Sequence, residues 1–166
     1  MLETAIMLIF PIFLSLALGW DVATFTIPNW LNIGLVLLFI PAALLAHLSF
    51  EAIGWHVLIG VILLGLGMGL FAAGYAGGGD AKFLAAIGLW LGPSALVAFL
   101  LYTALAGGLL ALGLLAFRGM PIPYKWGQHE AVMRLHEPGG GIPYGVALSA
   151  AALLVYPATP VFVAFS

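Results

Sequence analysis

The sequence predicts an all-α membrane protein, a polytopic bundle of six transmembrane helices. Three observations point there. Of the 166 residues, 64% are hydrophobic and only 6% are charged, against about 25% charged in a soluble domain. The mean hydropathy is +1.23. The apolar residues fall into long stretches separated by short polar turns, as helical spans of about 20 residues require. The length suits a single membrane-embedded domain over 1–166.

Composition excludes several functions. With a net charge of −2 and four Lys and Arg residues, the chain has too few cations to bind nucleic acid through its phosphates. It has no cysteine, which excludes disulfides, thiolate zinc sites, iron–sulfur clusters and a cysteine nucleophile. Met1-Leu2-Glu3 is acidic where a secretory signal is basic, so the first apolar stretch is expected to stay as a membrane helix.

Taken in order, that first stretch covers 4–20 and ends at Asp21. In the loop that follows, Pro28 biases Ile27 towards an extended backbone, and Asn29 suits the N-cap of the next helix. The second span is 30–47, with Pro41 as a kink. His47, Glu51 and His56 are expected to mark a turn before the third span, 57–75. There Gly65 and Gly69 form a G-x-x-x-G pair suited to close helix packing. Next come Gly77-Gly78-Gly79-Asp80-Ala81-Lys82 and a stretch that Gly92-Pro93-Ser94 divides into 81–92 and 95–117. The shorter piece rises only about 17 Å against about 30 Å of hydrocarbon. It is therefore either a short span or part of one long kinked helix. The loop 118–141 holds Arg118, Lys125, His129, Glu130, Arg134, His136 and Glu137, and the last span is 142–165.

Charge favours six spans over five. Six put Asp21, Asp80, Lys82 and the whole 118–141 loop on one face, with every Lys and Arg residue. The positive-inside rule makes that face cytoplasmic and both termini periplasmic. Five would set Lys82 against the other three cations.

Ionisable residues at or inside a bilayer are costly and are functional candidates. Two carboxylates brought within reach of each other do not easily both ionise. Such a pair offers a base to take a proton from water and an acid to protonate the carbonyl oxygen and leaving amine of a peptide bond. Asp21 and Asp80 are candidates for that pair, and Gly77, Gly78 and Gly79 would let a substrate backbone approach. Lys82 suits a headgroup contact with membrane lipids, and secondly a contact to substrate.

Asp21 with Ile27-Pro28-Asn29, then Gly77-Gly78-Gly79-Asp80-Ala81-Lys82 with Gly88-Leu89-Trp90-Leu91-Gly92, then Ile142-Pro143-Tyr144-Gly145, resembles the type IV prepilin peptidase family. The order and spacing are most similar to its short Flp/Tad-pilus members. The resemblance implies a six-span inner-membrane aspartic endopeptidase that removes prepilin leaders at the cytoplasmic face. It implies Asp21 and Asp80 as the catalytic pair. The prepilin leader and the start of its hydrophobic helix would then be the partner, with Pro143 and Tyr144 beside the glycines and Lys82 in substrate binding. Longer relatives carry a cysteine-rich zinc insert that methylates the product. This chain has no such cysteines, so neither methyl transfer nor a zinc cofactor is expected. Ala23-Thr24-Phe25-Thr26 stands where the family often has basic residues, and Gly139-Gly140-Gly141 where lysine is common, which bears on substrate preference.

Other candidates are weaker. His129-Glu130 and His136-Glu137 stand about 10 Å apart if helical, too far to share one metal ion. Trp126, Val132 and Leu135 could give 124–137 an apolar face lying on the bilayer. Ser15, Ser94 and Ser149 have no evident base, so a serine protease is unsupported. A small proton-coupled transporter or a structural subunit of a secretion machine is the rival reading. Either would use the aspartates as relays or packing contacts.

Overall fold

The structure, a computed structural model, describes residues 2–122, 128–138 and 140–166. The described residues form helices and their connections: α1 (Leu2–Thr24), α2 (Asn29–Leu45), α3 (Phe50–Ala72), α4 (Gly78–Arg118), α5 (Glu130–His136), α6 (Tyr144–Val155), a 3-10 turn at Tyr156–Ala158 and α7 (Pro160–Val163). Three helical segments, Glu3–Thr24, Phe50–Ala72 and Gly78–Arg118, are long and apolar enough to cross a membrane. Shorter apolar helices cover Asn29–Leu45 and Tyr144–Ala158. Large apolar side chains such as Leu37, Val97, Leu109 and Leu154 point outwards, as a lipid-facing surface requires.

Several boundaries differ from the sequence reading, each for a local reason. Helix α1 continues to Thr24, so Asp21 belongs to its last turn and not to the loop. Pro28, not Asn29, is the N-cap of α2, with φ −68° and ψ 144°, the extended conformation that its ring favours. Helix α3 starts at Phe50 because Ser49 caps it, its Oγ accepting from the Ala52 N–H at 3.1 Å. Glu51 and His56 are therefore helical, and of the three residues assigned to a turn only His47 remains there, with φ +54°. The final apolar stretch is not one helix. Pro157, which brings no N–H to the ladder, lies in the 3-10 turn that follows α6, and Thr159 starts α7 by accepting from Phe162 N–H.

The decisive feature is Gly92. Helix α4 breaks there, at φ +63° and ψ −168°, immediately before Pro93. That backbone conformation is essentially open only to glycine. Contacts on both sides show that the chain turns back. At one end of the bundle, Phe10 stacks on Trp90 with ring centroids 5.1 Å apart and meets Tyr156 at 4.8 Å. At the other end, a Cβ on Gly107 would lie 2.7 Å from the Tyr144 hydroxyl. A Cβ on the next residue, Gly145, would lie 2.8 Å from Asp21 Oδ2. As a straight rod, α4 would carry Gly107 about 40 Å beyond Asp80. Instead, the arm after Gly92 runs alongside α6 back to the level of the aspartates.

His56 fixes the break. It is buried on α3, its Nδ1 is 2.8 Å from the Leu89 carbonyl oxygen, and its ring stacks on Phe39 at 5.3 Å. A Cβ on Gly92 would fall 2.5 Å from the same ring. Trp90 Nε1 donates to the Leu35 carbonyl at 2.8 Å, tying the same turn to α2. Along the α3–α4 seam the close approach is made at Gly67, where a Cβ would meet the Ala81 backbone at 2.9 Å, and at Gly60. Gly65 and Gly69, the expected packing pair, have nothing within 4 Å of an added Cβ, so they do not make this seam.

Gly92→Ala should destabilise the fold by about 1–3 kcal/mol from backbone strain alone, with the His56 clash added. Gly65→Ala should be neutral or stabilising by up to about 1 kcal/mol. Thermal unfolding in detergent compares the two, and equal melting temperatures would overturn this account of the break.

Candidate active site

Asp21 and Asp80 reach the same end of the bundle by different routes. Asp21 sits in the last turn of α1 and is 2% exposed. Asp80 is the third residue of α4 and half-buried. Gly77 is the N-cap of α4, with φ −74° and ψ 145°. The Asp80 carboxylate turns back towards the Gly77 amide, as the acidic partner of a capping box does. It lies at the same end of the bundle as Asp21, with Ile27 between them.

Ile27 is the spacer between the two. A Cβ on Gly79 would stand 3.1 Å from the Ile27 carbonyl oxygen and 3.3 Å from its nitrogen. On the other side, a Cβ on Gly145 would stand 2.7 Å from Ile27 Cδ1. The extended Ile27-Pro28 segment thus passes between the start of α4 and the start of α6. The left-handed turn at Phe25, φ +54°, delivers the chain there after its N–H closes on the Asp21 carbonyl at 2.8 Å.

Helix α6 also contributes electrostatics. The backbone amides of Gly145 and Val146 lie beside the Asp21 carboxylate, which puts it at the positive end of a helix dipole. Asp21 Oδ2 nevertheless has no hydrogen-bond partner among the described residues. A buried carboxylate oxygen left in that state is costly unless water, a proton or a substrate serves it, and such groups concentrate at functional sites.

The other sequence candidates take definite places. Gly77, Gly78 and Gly79 are packed around the site: a Cβ on Gly77 would meet Asp80 Oδ2 at 2.9 Å, and one on Gly78 would meet Phe71 at 3.4 Å. Lys82 Nζ donates to Asn29 Oδ1 at 2.9 Å, linking α4 to α2. Pro143 is buried as the N-cap of α6, and Tyr144 packs on Gly107. Gly145 closes the Ile142-Pro143-Tyr144-Gly145 motif, and the sequence alone assigns it no role of its own. Only a residue without a side chain fits between Asp21 and Ile27.

The polar loop comes to this end as well. Arg118 donates to the Leu135 carbonyl at 2.9 Å and the Gly141 carbonyl at 2.7 Å, and Arg134 donates to the Ala23 carbonyl at 3.4 Å. Lys82, Arg118 and Arg134 therefore share the end of the bundle that holds the aspartates. Tyr124, Lys125 and Trp126 fall outside the described residues. Val132 and Leu135 are half-buried on α5, which packs against α1 and α4. His136 meets Phe117 edge-on at 5.2 Å. Among the described residues, no group of three or more His, Asp or Glu side chains is placed to hold a metal ion.

Because the obstacle to a methyl on Gly79 is backbone, Gly79→Ala should cost about 1–3 kcal/mol by overpacking. Gly78→Ala meets only the Phe71 ring and should be tolerated. Thermal unfolding of the two variants separates these outcomes.

Two comparisons, one with curated proteins and one with solved structures, gave no match. A comparison with family models matched the Type IV leader peptidase family over residues 8–112. That range takes in Asp21, the Ile27-Pro28-Asn29 loop, the glycine run with Asp80 and the break at Gly92, and it covers more than half of the chain. The arrangement of a helix-end aspartate, an Ile-Pro-Asn spacer and a second aspartate after three glycines thus coincides with the matched region, and the chain belongs to the type IV leader peptidase family.

Proposed function

We propose that the chain is a membrane-embedded aspartic endopeptidase that removes the leader peptide of type IV prepilins, of the Flp/Tad kind, with Asp21 and Asp80 as its catalytic pair. The observation that carries this reading is their placement at one end of the bundle, on either side of Ile27, from segments far apart in sequence. Family membership supports a leader peptidase role. The chemistry is that of two carboxylates acting on one water molecule and one peptide bond. One accepts a proton from a water molecule as its oxygen attacks the scissile carbonyl. The other gives a proton to the carbonyl oxygen, and the leaving amine is protonated as the C–N bond breaks. The pair titrates as a unit, so neither residue carries a fixed role.

Helix-end placement supports hydrolysis over proton relay. A relay would run its carboxylates along the depth of a span, whereas a peptidase needs water and an extended backbone at the surface. Gly77, Gly78 and Gly79, with Pro143 and Tyr144 across the site, are the groups that would line the bound strand. The shared end of Lys82, Arg118 and Arg134 favours a cytoplasmic orientation in the bacterial inner membrane. The turn-back at Gly92 favours six spans with both termini periplasmic. No cysteine is available for the zinc-dependent methyl transfer of longer relatives, so the proposed activity is cleavage alone.

Asp21→Asn and Asp80→Asn should each lower leader removal by at least about 10²–10⁴-fold, read from a prepilin co-expressed with the folded, inserted variant. Normal processing by either variant rules out the pair. Gly145→Ala should also depress the rate with little change in KM, since its methyl would crowd Ile27 Cδ1 and displace the Asp21 carboxylate.

A further inference from the structure

Helices α2 and α3 do not pack against each other along most of their length. A groove of about 790 Å³ runs between them. Leu37 and Ile40 of α2 form one wall, Val57 and Val61 of α3 the other, and Ala85 and Ala86 of α4 lie on the floor. From Asn32 to Leu44 on α2 it extends about 18 Å, the rise of about three helical turns. Its small floor residues permit a close approach of helix backbones.

One end of this apolar groove is polar. Lys82, two residues past Asp80, lines it there, and so does Asn32. Asn32 is 5% exposed, and neither its amide nitrogen nor its carbonyl oxygen has a hydrogen-bond partner among the described residues. An unpartnered buried polar group costs about 1–3 kcal/mol, and Asn32 carries two such atoms. Lipid chains fill the groove without relieving this cost, because they offer neither donor nor acceptor. A peptide offers both. A helix that starts beside Asn32 presents first-turn N–H groups with no partner of their own, and the extended residues before it present carbonyls.

We infer that the α2–α3 groove seats the hydrophobic helix of the substrate, with Asn32 and Lys82 holding the segment that joins this helix to the scissile bond. The inference rests on the peptidase reading and names how that site measures its substrate. Both polar atoms of the Asn32 amide are closed off while the groove is empty, so the side chain turns as the helix seats: its Oδ1 then accepts from a free N–H of the first helical turn, and its Nδ2 donates to a carbonyl just before it. Lys82 uses one hydrogen on Asn29 Oδ1 and directs the others to the strand leading to Asp80. Asn32 and Lys82 are positioning residues, not participants in bond cleavage.

The cysteine-free chain allows a direct test. In an Asp80→Asn background, single cysteines are introduced by Leu37→Cys or Val61→Cys in the groove, and by Leu109→Cys on the outward face of α4. Each is oxidised with a prepilin carrying one cysteine in its hydrophobic helix. Disulfides should form at the groove positions and not at Leu109→Cys. In parallel, the otherwise unsubstituted protein and its Val61→Trp and Asn32→Leu variants are assayed on full-length prepilin in bilayers. They are also assayed on a soluble peptide that spans the cleavage site but lacks the helix. Val61→Trp should slow the full-length substrate and leave the peptide rate unchanged. Asn32→Leu should raise KM for full-length prepilin about tenfold while raising the melting temperature, which separates lost recognition from lost folding.

Equal disulfide yields at groove and control positions overturn the docking, as does equal cleavage of both substrates by Val61→Trp. Labelling of the groove by a photoactivatable phospholipid, undiminished by saturating prepilin, assigns it to lipid and also overturns it. In those cases the peptidase reading stands as long as cleavage still requires Asp21. If the unsubstituted protein cleaves neither substrate, the peptidase reading itself fails.

Discussion

The reversal at Gly92, locked by His56, is the constraint on which the rest of the structure depends. Without it, the second arm of α4 would leave the bundle and α6 would have no helix to follow back to the aspartates. Tyr144 would lose its seat on Gly107, and Gly145 could not lie against Asp21. The lock is made at three points by different physics. The glycine backbone accepts φ +63°, the His56 ring fills the space where a Cβ would stand, and a histidine nitrogen meets the Leu89 carbonyl. That carbonyl lies in the last turn before the break, where no intrahelical N–H is left to serve it. One buried polar side chain therefore satisfies the backbone group that the break exposes.

At the opposite end, the aspartates are held by the absence of side chains. Gly77 leaves room for the Asp80 carboxylate, Gly79 for the Ile27 backbone and Gly145 for the Asp21 carboxylate. Each is a place where one methyl would push a carboxylate, or the Ile27 segment between the two, away from its neighbour. Interiors packed to crystal-like density do not absorb such a change by loosening elsewhere. The site is assembled by close backbone approach and two helix starts, with Ile27 as the common spacer.

Much of this was legible in the sequence. The long helices follow from hydropathy, and the two aspartates stand out because a charge in so apolar a chain requires a reason. The Gly92-Pro93 divide is equally visible. Whether the chain bends or turns back there is not, because the answer rests on contacts of Tyr144 and Tyr156, which stand 52 and 64 residues after Gly92. The start of α3 was hidden for a related reason. Glu51 and His56 look like turn residues until Ser49 is seen to cap the helix and Leu89 to partner the histidine. Gly65 and Gly69 match a packing pattern, yet the α3–α4 seam runs through Gly60 and Gly67. Spacing says which residues share a face and not which face meets a neighbour. Asn32 carries a signal of its own, an amide in an apolar span three residues after Asn29.

The groove between α2 and α3 has a mechanical consequence. Its width is set by how each wall packs on α4, through the Gly67–Ala81 contact on one side and the Trp90–Leu35 and Lys82–Asn29 bonds on the other. Its walls carry exposed side chains such as Leu37, Ile40 and Val61, so the slot is open sideways along its length. A hydrophobic segment already resident in a bilayer can enter such a slot by lateral diffusion, without leaving the hydrocarbon and without being threaded from one end. The search for a partner then becomes two-dimensional, and on the proposed peptidase reading the depth at which a substrate helix sits in the membrane would fix which of its peptide bonds arrives beside the two carboxylates.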